Sequence, residues 1–256
     1  MNVLCVGDVV AEPGLRVVER LLGGLKKFYA IDFTVVNGEN ARGQGISSAD
    51  AERLYLAGAD VITLGNHALG CREVFGRLDD DPYLLRPANF TDRAPGKGFG
   101  VYDASKGRRV AVMNLMGRAF MDSNLDNPFF KADALIKACD TPFIIVDFHA
   151  DATSEKGAFA RYVDGRVSAV FGTHTHVPTA DARVLPNGTG FITDVGMCGA
   201  VESVIGHKPE ASIARFVGEP FGGDRQAKGD ASLMAVRFEL DDRSGKCVAV
   251  ERIEAK

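Results

Sequence analysis

The chain has 256 residues, of which 46% are hydrophobic and 25% charged, and its formal net charge is −4. This composition is typical of a globular protein large enough to bury a core, and we expect one domain over residues 1–256. Because no basic surplus is present to neutralise phosphates, a stable nucleic-acid complex is not expected, although a small nucleotide substrate remains open.

The cysteines and the first residues bear on the cellular compartment. Five cysteines are scattered along the chain without a C-x-x-C pair, which favours reduced thiols in a cytoplasmic protein over disulfides or a thiolate zinc site. The first residues lead directly into a predicted strand, with neither a signal peptide nor a long apolar stretch. We therefore expect a cytoplasmic protein without a membrane segment, and the formation of a homo-oligomer is left open.

Short apolar runs alternate with helical patterns along most of the chain. We predict strands at residues 3–6, 33–36, 61–64, 83–85, 110–113, 143–146, 167–171 and 191–193, and a closing hairpin of residues 233–240 and 247–253. Helices are predicted after Pro13, from an N-cap at Ser47 to Gly58, and at residues 72–78 and 132–138. Because the last strands follow one another without helices between them, we expect class α/β with mixed sheets.

Polar side chains that can bind metal follow five of these strands. They are Asp8, Glu39 with Asn40, Asn66 with His67, His149, and His174 with His176. In open α/β sheets, sites form outside the carboxyl ends of the strands, and four of the five histidines occupy such ends. If the His174-Thr175-His176 segment stays extended, both imidazoles point to one side, which suits metal binding. Structural histidines have no reason to prefer strand ends, so we favour a metal site.

These strand-end residues resemble the ordered motifs of the calcineurin-like metallophosphoesterases, and most closely those of the bacterial YmdB-like branch. The matching blocks are Gly7-Asp8, Gly38-Glu39-Asn40, Gly65-Asn66-His67, His149 and residues 172–176, with longer similar stretches at 37–40, 86–90, 147–156 and 193–197. The resemblance implies a four-layer αββα sandwich in which helices flank two mixed β-sheets. It also implies hydrolysis of phosphodiesters, including 2′,3′-cyclic nucleotides.

The chain departs from the broader superfamily pattern at two positions. Val10 stands where the first block usually has a histidine, and Glu39-Asn40 stands where the second block usually supplies a bridging aspartate. The resemblance to the closer branch implies that Asn40 takes the coordination place left by the missing histidine. This substitution weakens the ligand field at one of the two metals.

On this basis we expect two divalent or mixed-valence transition-metal ions, with iron or manganese favoured and zinc as a further candidate. Carboxylate, amide oxygen and imidazole without thiolate are ligands that suit these metals. The expected ligands are Asp8, Glu39, Asn40 and His176 for the first metal, and Glu39, Asn66, His149 and His174 for the second. A hydroxide bridging the metals would attack the phosphorus in line. His67, whose neighbour Asn66 is assigned to a metal, is expected to be the general acid for the leaving oxygen.

The expected function is that of a dinuclear metal-dependent phosphodiesterase acting on a small phosphodiester or nucleotide. One alternative is a phosphomonoesterase or nucleotidase with the same centre, and another is a regulatory protein that binds metal and nucleotide with little turnover. The presence of His67 beside a full ligand set favours catalysis over the regulatory alternative.

Four further polar residues near these motifs allow two interpretations each. Asp147 and Asp151 flank His149, and one of them could orient its imidazole, but solvation of a strand end explains them equally well. Arg42 and Arg118 could contact phosphate, although a salt bridge or a solvated surface position is the favoured interpretation for both.

Overall fold

The computed structural model describes residues 1–121 and 124–256. These residues form fourteen strands, arranged in two sheets, and six α-helices. The strands are β1 (Asn2–Val6), β2 (Asp8–Val9), β3 (Phe33–Asn37), β4 (Val61–Thr63), β5 (Leu84–Leu85), β6 (Phe99–Asp103), β7 (Arg109–Met116), β8 (Ile144–His149), β9 (Ala169–Thr173), β10 (Arg183–Val184), β11 (Gly190–Ile192), β12 (Met197–Ala200), β13 (Ala231–Leu240) and β14 (Cys247–Ala255). The helices are α1 (Ala11–Phe28), α2 (Ser48–Ala57), α3 (Val74–Asp80), α4 (Pro128–Ala138), α5 (Thr153–Tyr162) and α6 (Pro209–Val217).

Both sheets combine parallel and antiparallel strands, as predicted. The larger sheet has the order β2-β12-β13-β1-β3-β4-β5, with β14 paired to β13, and its strands β1, β3, β4 and β5 run parallel. The smaller sheet has the order β10-β11-β9-β8-β7-β6, and only its edge strands β6 and β10 run antiparallel to their neighbours. Parallel strands deliver the residues that follow them to one edge of a sheet, which here becomes the site.

Three separate hydrophobic cores divide the protein into four layers. The first contains Leu15 of α1 and Val36 of β3, and it lies between helices and the larger sheet. The second contains Val35 of β3 and Ile145 of β8, so it lies between the two sheets. The third includes Phe159 of α5, on the outer face of the smaller sheet. Because neighbouring residues of β3 point to opposite faces, one strand contributes to two cores, and the αββα sandwich is confirmed.

Local signals explain where several helices begin and end. In α2, Ser47 Oγ accepts a hydrogen bond from Asp50 N at 3.1 Å, and Asp50 accepts one from Ser47 N at 3.2 Å, which is a capping box. Gly58 then ends α2 with a left-handed φ of 117°. Helix α4 begins at Pro128 after the cap Asn127, earlier than the predicted residue 132. Within residues 1–121 and 124–256, no helix has the length and apolarity needed to cross a membrane.

Several elements have no counterpart in the sequence prediction. They are the strands β2, β6, β10 and β12 and the helices α5 and α6. Two of these strands contain only two residues each, and α5 contains a glycine that lowers its helical propensity. Such elements are stabilised by their packing partners in the folded chain, so periodicity alone gives little indication of them.

Candidate metal centre

All seven predicted metal ligands lie together at the carboxyl ends of strands from both sheets. Asp8 follows β1, Glu39 follows β3 and Asn66 follows β4, whereas His149 ends β8 and His174 directly follows β9. The face-to-face packing of the sheets brings these ends opposite one another. The site therefore needs both sheets, and neither sheet alone carries the full set.

One group of side chains surrounds the Nε2 atom of His149. Asn66 Oδ1 lies 2.9 Å from this nitrogen, Glu39 Oε1 lies 3.1 Å away, and His174 Nδ1 also lies 3.1 Å away. Glu39, His149 and His174 each offer one ligand atom, and these three atoms lie within 4.8 Å of one another. These four residues are those predicted for the second metal.

A second group forms around His176. Its Nε2 atom lies 3.2 Å from Asn40 Oδ1 and 4.0 Å from Asp8 Oδ1. Its other ring nitrogen, Nδ1, lies 3.0 Å from the carbonyl oxygen of Ile205, and this contact requires Nδ1 to carry the proton. The lone pair of Nε2 is then directed toward Asn40 and Asp8, the partners predicted for the first metal.

The segment that carries His174 and His176 is not extended, so the condition under which both imidazoles were expected to point to one side is not met. Strand β9 ends at Thr173, and φ is 103° at His174 and 66° at His176. Asp8 Oδ2 accepts a hydrogen bond from His174 N at 3.1 Å, and Asp194 Oδ2 accepts one from Thr175 N at 3.1 Å. These buried carboxylates hold a turn with two left-handed residues, a costly conformation that persists only when its surroundings fix it.

Unsatisfied oxygen atoms at the centre indicate a cation site. Asp8 and Glu39 are fully buried, and within the described residues Asp8 Oδ1 and Glu39 Oε1 accept no hydrogen bond of good geometry. A buried carboxylate without such partners is costly unless a cation compensates it. A Cβ atom at Gly65 would lie 2.3 Å from Glu39 Oε2 and from His149 Nε2, so a glycine is required there. The residues present therefore fit transition-metal ions of the manganese, iron and zinc type.

The charges in the protein without metal also indicate a cation site. Burial raises the pKa of Glu39 and lowers that of His149, but their mutual attraction prevails and sets these pKa values to about 2 and about 9. Burial raises the pKa of Asp8 to about 6, against the lowering effect of His176 and His149. Burial and the neighbouring His149 lower the pKa of His174 to about 3. His149 thus holds a proton, and hence positive charge, where a cation would bind.

His67 lies beside the predicted metal ligands Asn66 and Glu39. Asn66 directs its Oδ1 atom toward His149 and its Nδ2 atom toward His67 Nε2, at 3.2 Å. The backbone N–H of His67 donates to Glu39 Oε2 at 3.2 Å. Since Nδ2 of an amide is a donor, Nε2 of His67 accepts, and the proton of the neutral ring lies on Nδ1.

Three residues beneath the centre were not singled out from the sequence. Thr173 Oγ1 lies 2.8 Å from His149 Nδ1, while Lys156 and Asp194 form a buried ion pair below the histidine turn. A polar residue at the end of an apolar strand is the signal that could have indicated Thr173. Nothing in the helical pattern around Lys156 indicates that this lysine is buried, because lysines are normally exposed.

The four ambiguous residues have different environments. Asp147 is buried and Asp151 is exposed, so only Asp147 can act within the protein interior. Arg42 pairs with Asp50 at 3.0 Å, which confirms the salt-bridge interpretation. Arg118 is exposed, and its backbone N–H donates to Glu155.

The fold and this set of side chains define a protein of the metallophosphoesterase type, an αββα sandwich with carboxylate, amide and imidazole groups at the carboxyl ends of its strands. The chain belongs to the YmdB-like family, whose model matches residues 4–253. The resemblance inferred from the strand-end motifs is thereby confirmed.

Relatives and solved structures similar to this chain cover nearly all of it. A Bacillus subtilis (strain 168) protein named 2′,3′-cyclic-nucleotide 2′-phosphodiesterase is 47% identical over 256 residues, which are 99% of this chain and 96% of the relative. The crystal structure of a hypothetical protein from Thermus thermophilus has a TM-score of 0.92 at 43% identity and covers 100% of this chain and 99% of its own. That of a phosphatase from Mycoplasma pneumoniae has a TM-score of 0.92 at 37% identity and covers 100% of this chain and 93% of its own.

Proposed function

We propose that this protein is a dinuclear metal-dependent phosphodiesterase acting on small or nucleotide phosphodiesters, with 2′,3′-cyclic nucleotides as the leading substrate class. The observation that carries the proposal is the pair of buried carboxylate oxygens, Asp8 Oδ1 and Glu39 Oε1, left without hydrogen bonds among the described residues and surrounded by amide and imidazole ligands. Membership of the YmdB-like family and 47% identity to a relative named for this activity support the substrate class.

The ligand sets proposed for the two metals follow the two groups of contacts. Asp8, Asn40 and His176 would hold one ion, and Asn66, His149 and His174 would hold the other, with Glu39 shared between them. When bound, two such cations supply positive charge for a phosphate anion and lower the pKa of a water nucleophile. Oxygen and imidazole ligands without thiolate suit iron, manganese and zinc without a sharp preference, and iron or manganese is proposed ahead of zinc.

His67 is proposed as the general acid that protonates the leaving oxygen. The acid form is the imidazolium, which gives one ring proton to the leaving oxygen and becomes the neutral imidazole, whose Nε2 accepts from the amide of Asn66. The backbone contact of His67 with Glu39 holds the residue next to the metal ligands. Imidazole titrates near neutral pH, which suits proton transfer to an alkoxide leaving group.

The test compares diester and monoester hydrolysis by one preparation of known metal content. Bis-p-nitrophenyl phosphate should be cleaved, and 2′,3′-cyclic AMP should be opened to a monophosphate, faster than p-nitrophenyl phosphate is hydrolysed. A large preference for the monoester would replace the proposal by the phosphomonoesterase alternative. Binding of metal and nucleotide without turnover of any of the three compounds would favour the regulatory alternative. Protein carrying Glu39→Ala, purified in parallel, controls for contaminating hydrolases.

Other expectations remain proposals alongside this function. They are the cytoplasmic location, the arrangement of residues 1–256 as one domain, the lack of a stable nucleic-acid complex and the open question of a homo-oligomer.

A further inference from the structure

The buried side chain of Asp147 connects the ends of four strands. It lies in β8 and is fully inaccessible to solvent. Its Oδ2 atom accepts hydrogen bonds from Asn37 Nδ2 at 3.0 Å and Thr63 Oγ1 at 2.5 Å, and its Oδ1 atom accepts one from Thr173 Oγ1 at 2.7 Å. These partners are the last residues of β3, β4 and β9. Asp147 therefore joins the larger and the smaller sheet directly below the proposed metal centre.

The contact with Thr173 determines how His149 can be protonated. A hydroxyl has a single hydrogen, and that of Thr173 is directed to Asp147. The oxygen of Thr173 must then accept from His149 Nδ1, which lies 2.8 Å away. Nδ1 consequently carries a hydrogen, and Nε2 is the ring nitrogen that faces Glu39 and Asn66. An imidazole ligand held in this way has both its tautomer and its ring orientation fixed.

The contacts with the larger sheet reach a second proposed ligand. Asn37 donates to Asp147 through Nδ2, and its Oδ1 atom accepts a hydrogen bond from the backbone N–H of Glu39 at 3.2 Å. The carboxylate of Asp147 thus fixes the backbone of Glu39, next to the larger sheet, through Asn37. Through Thr173 it fixes the imidazole of His149 on the smaller sheet. The two ligand atoms concerned, Glu39 Oε1 and His149 Nε2, lie 3.1 Å apart.

We propose that Asp147 is a positioning residue of the metal centre: through Thr173 it holds the Nδ1 proton of His149, and through Asn37 it fixes the backbone that presents Glu39. This inference rests on the proposed function, because it takes His149 and Glu39 as metal ligands. Among the described residues, the Asp147 side chain forms hydrogen bonds with Asn37, Thr63 and Thr173 and with neither of these two ligand side chains. Its effect is transmitted by the hydroxyl of Thr173 and the amide of Asn37.

The experiment measures zinc affinity by competition with a chromophoric chelator in four variants and the parent protein. Asp147→Asn replaces one carboxylate oxygen by an NH₂ group, a hydrogen-bond donor that would face the donors of Asn37, Thr63 and Thr173. Thr173→Val removes the hydroxyl while keeping the shape of the side chain. Thr173→Ser keeps the hydroxyl. Thr34→Val is the matched control, because Thr34 is equally buried in β3 and its hydroxyl has no hydrogen-bond partner among the described residues.

Loss of a residue that orients a metal-bound histidine typically lowers metal affinity by about 10- to 100-fold. We expect losses of this size for Asp147→Asn and Thr173→Val, and near-parental affinity for Thr173→Ser and Thr34→Val. Zinc affinity of Thr173→Val within about threefold of the parent would overturn the proposal. So would equal losses in Thr173→Val and Thr34→Val, because that result would indicate a general effect on the core.

A nuclear magnetic resonance measurement distinguishes this role from a purely structural one. In the zinc-loaded parent protein, the Nδ1 proton of His149 should give a resonance protected from exchange with water. The protection should disappear in Thr173→Val and return in Thr173→Ser. An unprotected proton in the parent would contradict the inference even if the affinities change.

The same measurement separates failure of the inference from failure of the proposed function. If the parent binds no transition metal, the proposed function fails. The His149 Nδ1 proton can still be observed without metal, since its hydrogen bond to Thr173 involves no metal. Protection in the parent and its loss in Thr173→Val would then support the hydrogen-bond relay from Asp147, and an exchange rate unaffected by the substitution would overturn it.

Discussion

Lys156 Nζ lies 2.7 Å from Asp194 Oδ2, and each side chain is only 1% exposed. The same ammonium donates to the carbonyl of Thr173 at 2.8 Å. Asp194 in turn accepts from the backbone N–H groups of Thr175 and Gly196, at 3.1 and 2.8 Å. This ion pair therefore supports the turn that presents His174 and His176, although neither of its members belongs to the proposed ligand set.

Replacing Lys156 by Met should destabilise the protein strongly, because Asp194 would remain buried without its counter-charge. Removing one member of a buried ion pair typically costs about 3–5 kcal/mol. Denaturant unfolding of the metal-free protein measures the change in unfolding free energy. Lys137→Met is the matched control, since Lys137 is an exposed residue of α4 and such substitutions usually stay within about 0.5 kcal/mol. Equal unfolding free energies for the two variants would show that the pair contributes little.

Replacing Glu39 and Asp8 separately should have different effects on metal content. Glu39→Ala should lower occupancy at both positions, because this carboxylate is proposed to serve both metals. Asp8→Ala should mainly empty the position formed with His176 and Asn40. Elemental analysis of protein prepared without chelators gives the number of ions per chain. Loss of the same number of ions in both variants would contradict the shared role of Glu39.

Replacing His67 by Ala should reduce turnover while both metals remain bound. A general acid typically contributes about 10²- to 10⁴-fold, and the side chain of His67 contacts the Asn66 amide rather than the ligand atoms. The loss should be greatest for 2′,3′-cyclic AMP, whose leaving group is an alkoxide. It should be smaller for bis-p-nitrophenyl phosphate, because p-nitrophenolate needs little protonation.

Metal content and both rates are to be measured on the same preparation of the His67→Ala variant. Equal losses for the two leaving groups would assign His67 a role other than proton donation. Loss of metal would assign it to the ligand set instead.

Metal affinity should increase with pH between pH 6 and pH 9. The pKa of His149 is about 9 without metal, because the attraction of Glu39 outweighs the lowering effect of burial. Below that pH a metal must displace the His149 proton, so affinity should fall about tenfold for each unit of decreasing pH. Below the Asp8 pKa of about 6 a second proton is displaced and the dependence should steepen. Chelator competition at pH values from about 5 to about 9, roughly one unit apart, tests both parts of the profile. A flat profile would contradict the prediction.

The convergence of the ligands within each sheet could be predicted from the sequence because it depends on strand direction, whereas the meeting of the two sets depends on the packing of the sheets. His149 and His174 follow neighbouring parallel strands, so their positions at one edge follow from the sheet. Continuous apolar runs predicted the buried strands, whereas the four-layer αββα arrangement was predicted mainly from the family resemblance. Short elements such as β12 were missed, because their stability comes from pairing with distant strands.

The finer arrangement of the site depends on tertiary contacts that the sequence pattern does not contain. The His174-Thr175-His176 segment has strand-like spacing, yet Asp8 and Asp194 accept its backbone N–H groups and hold it in a turn. Asp147 was left between two interpretations because the position of Thr173 relative to it depends on the packing of β8 beside β9. These are interactions between residues far apart in the chain, and periodicity carries no information about them.

The position of β13 has a consequence for the order in which the protein can assemble during its synthesis. Strand β1 pairs with β13 from Asn2 opposite Glu239 to Val6 opposite Ala235, and Asp8 N donates to the carbonyl of Gly196. Asp8 is therefore translated long before the residues that fix its position, which are Gly196 and the strand β13. Contacts of such high sequence separation form late and slowly. We expect metal to enter this protein after translation, and a nascent chain stalled before β13 to carry all seven proposed ligands without a completed centre.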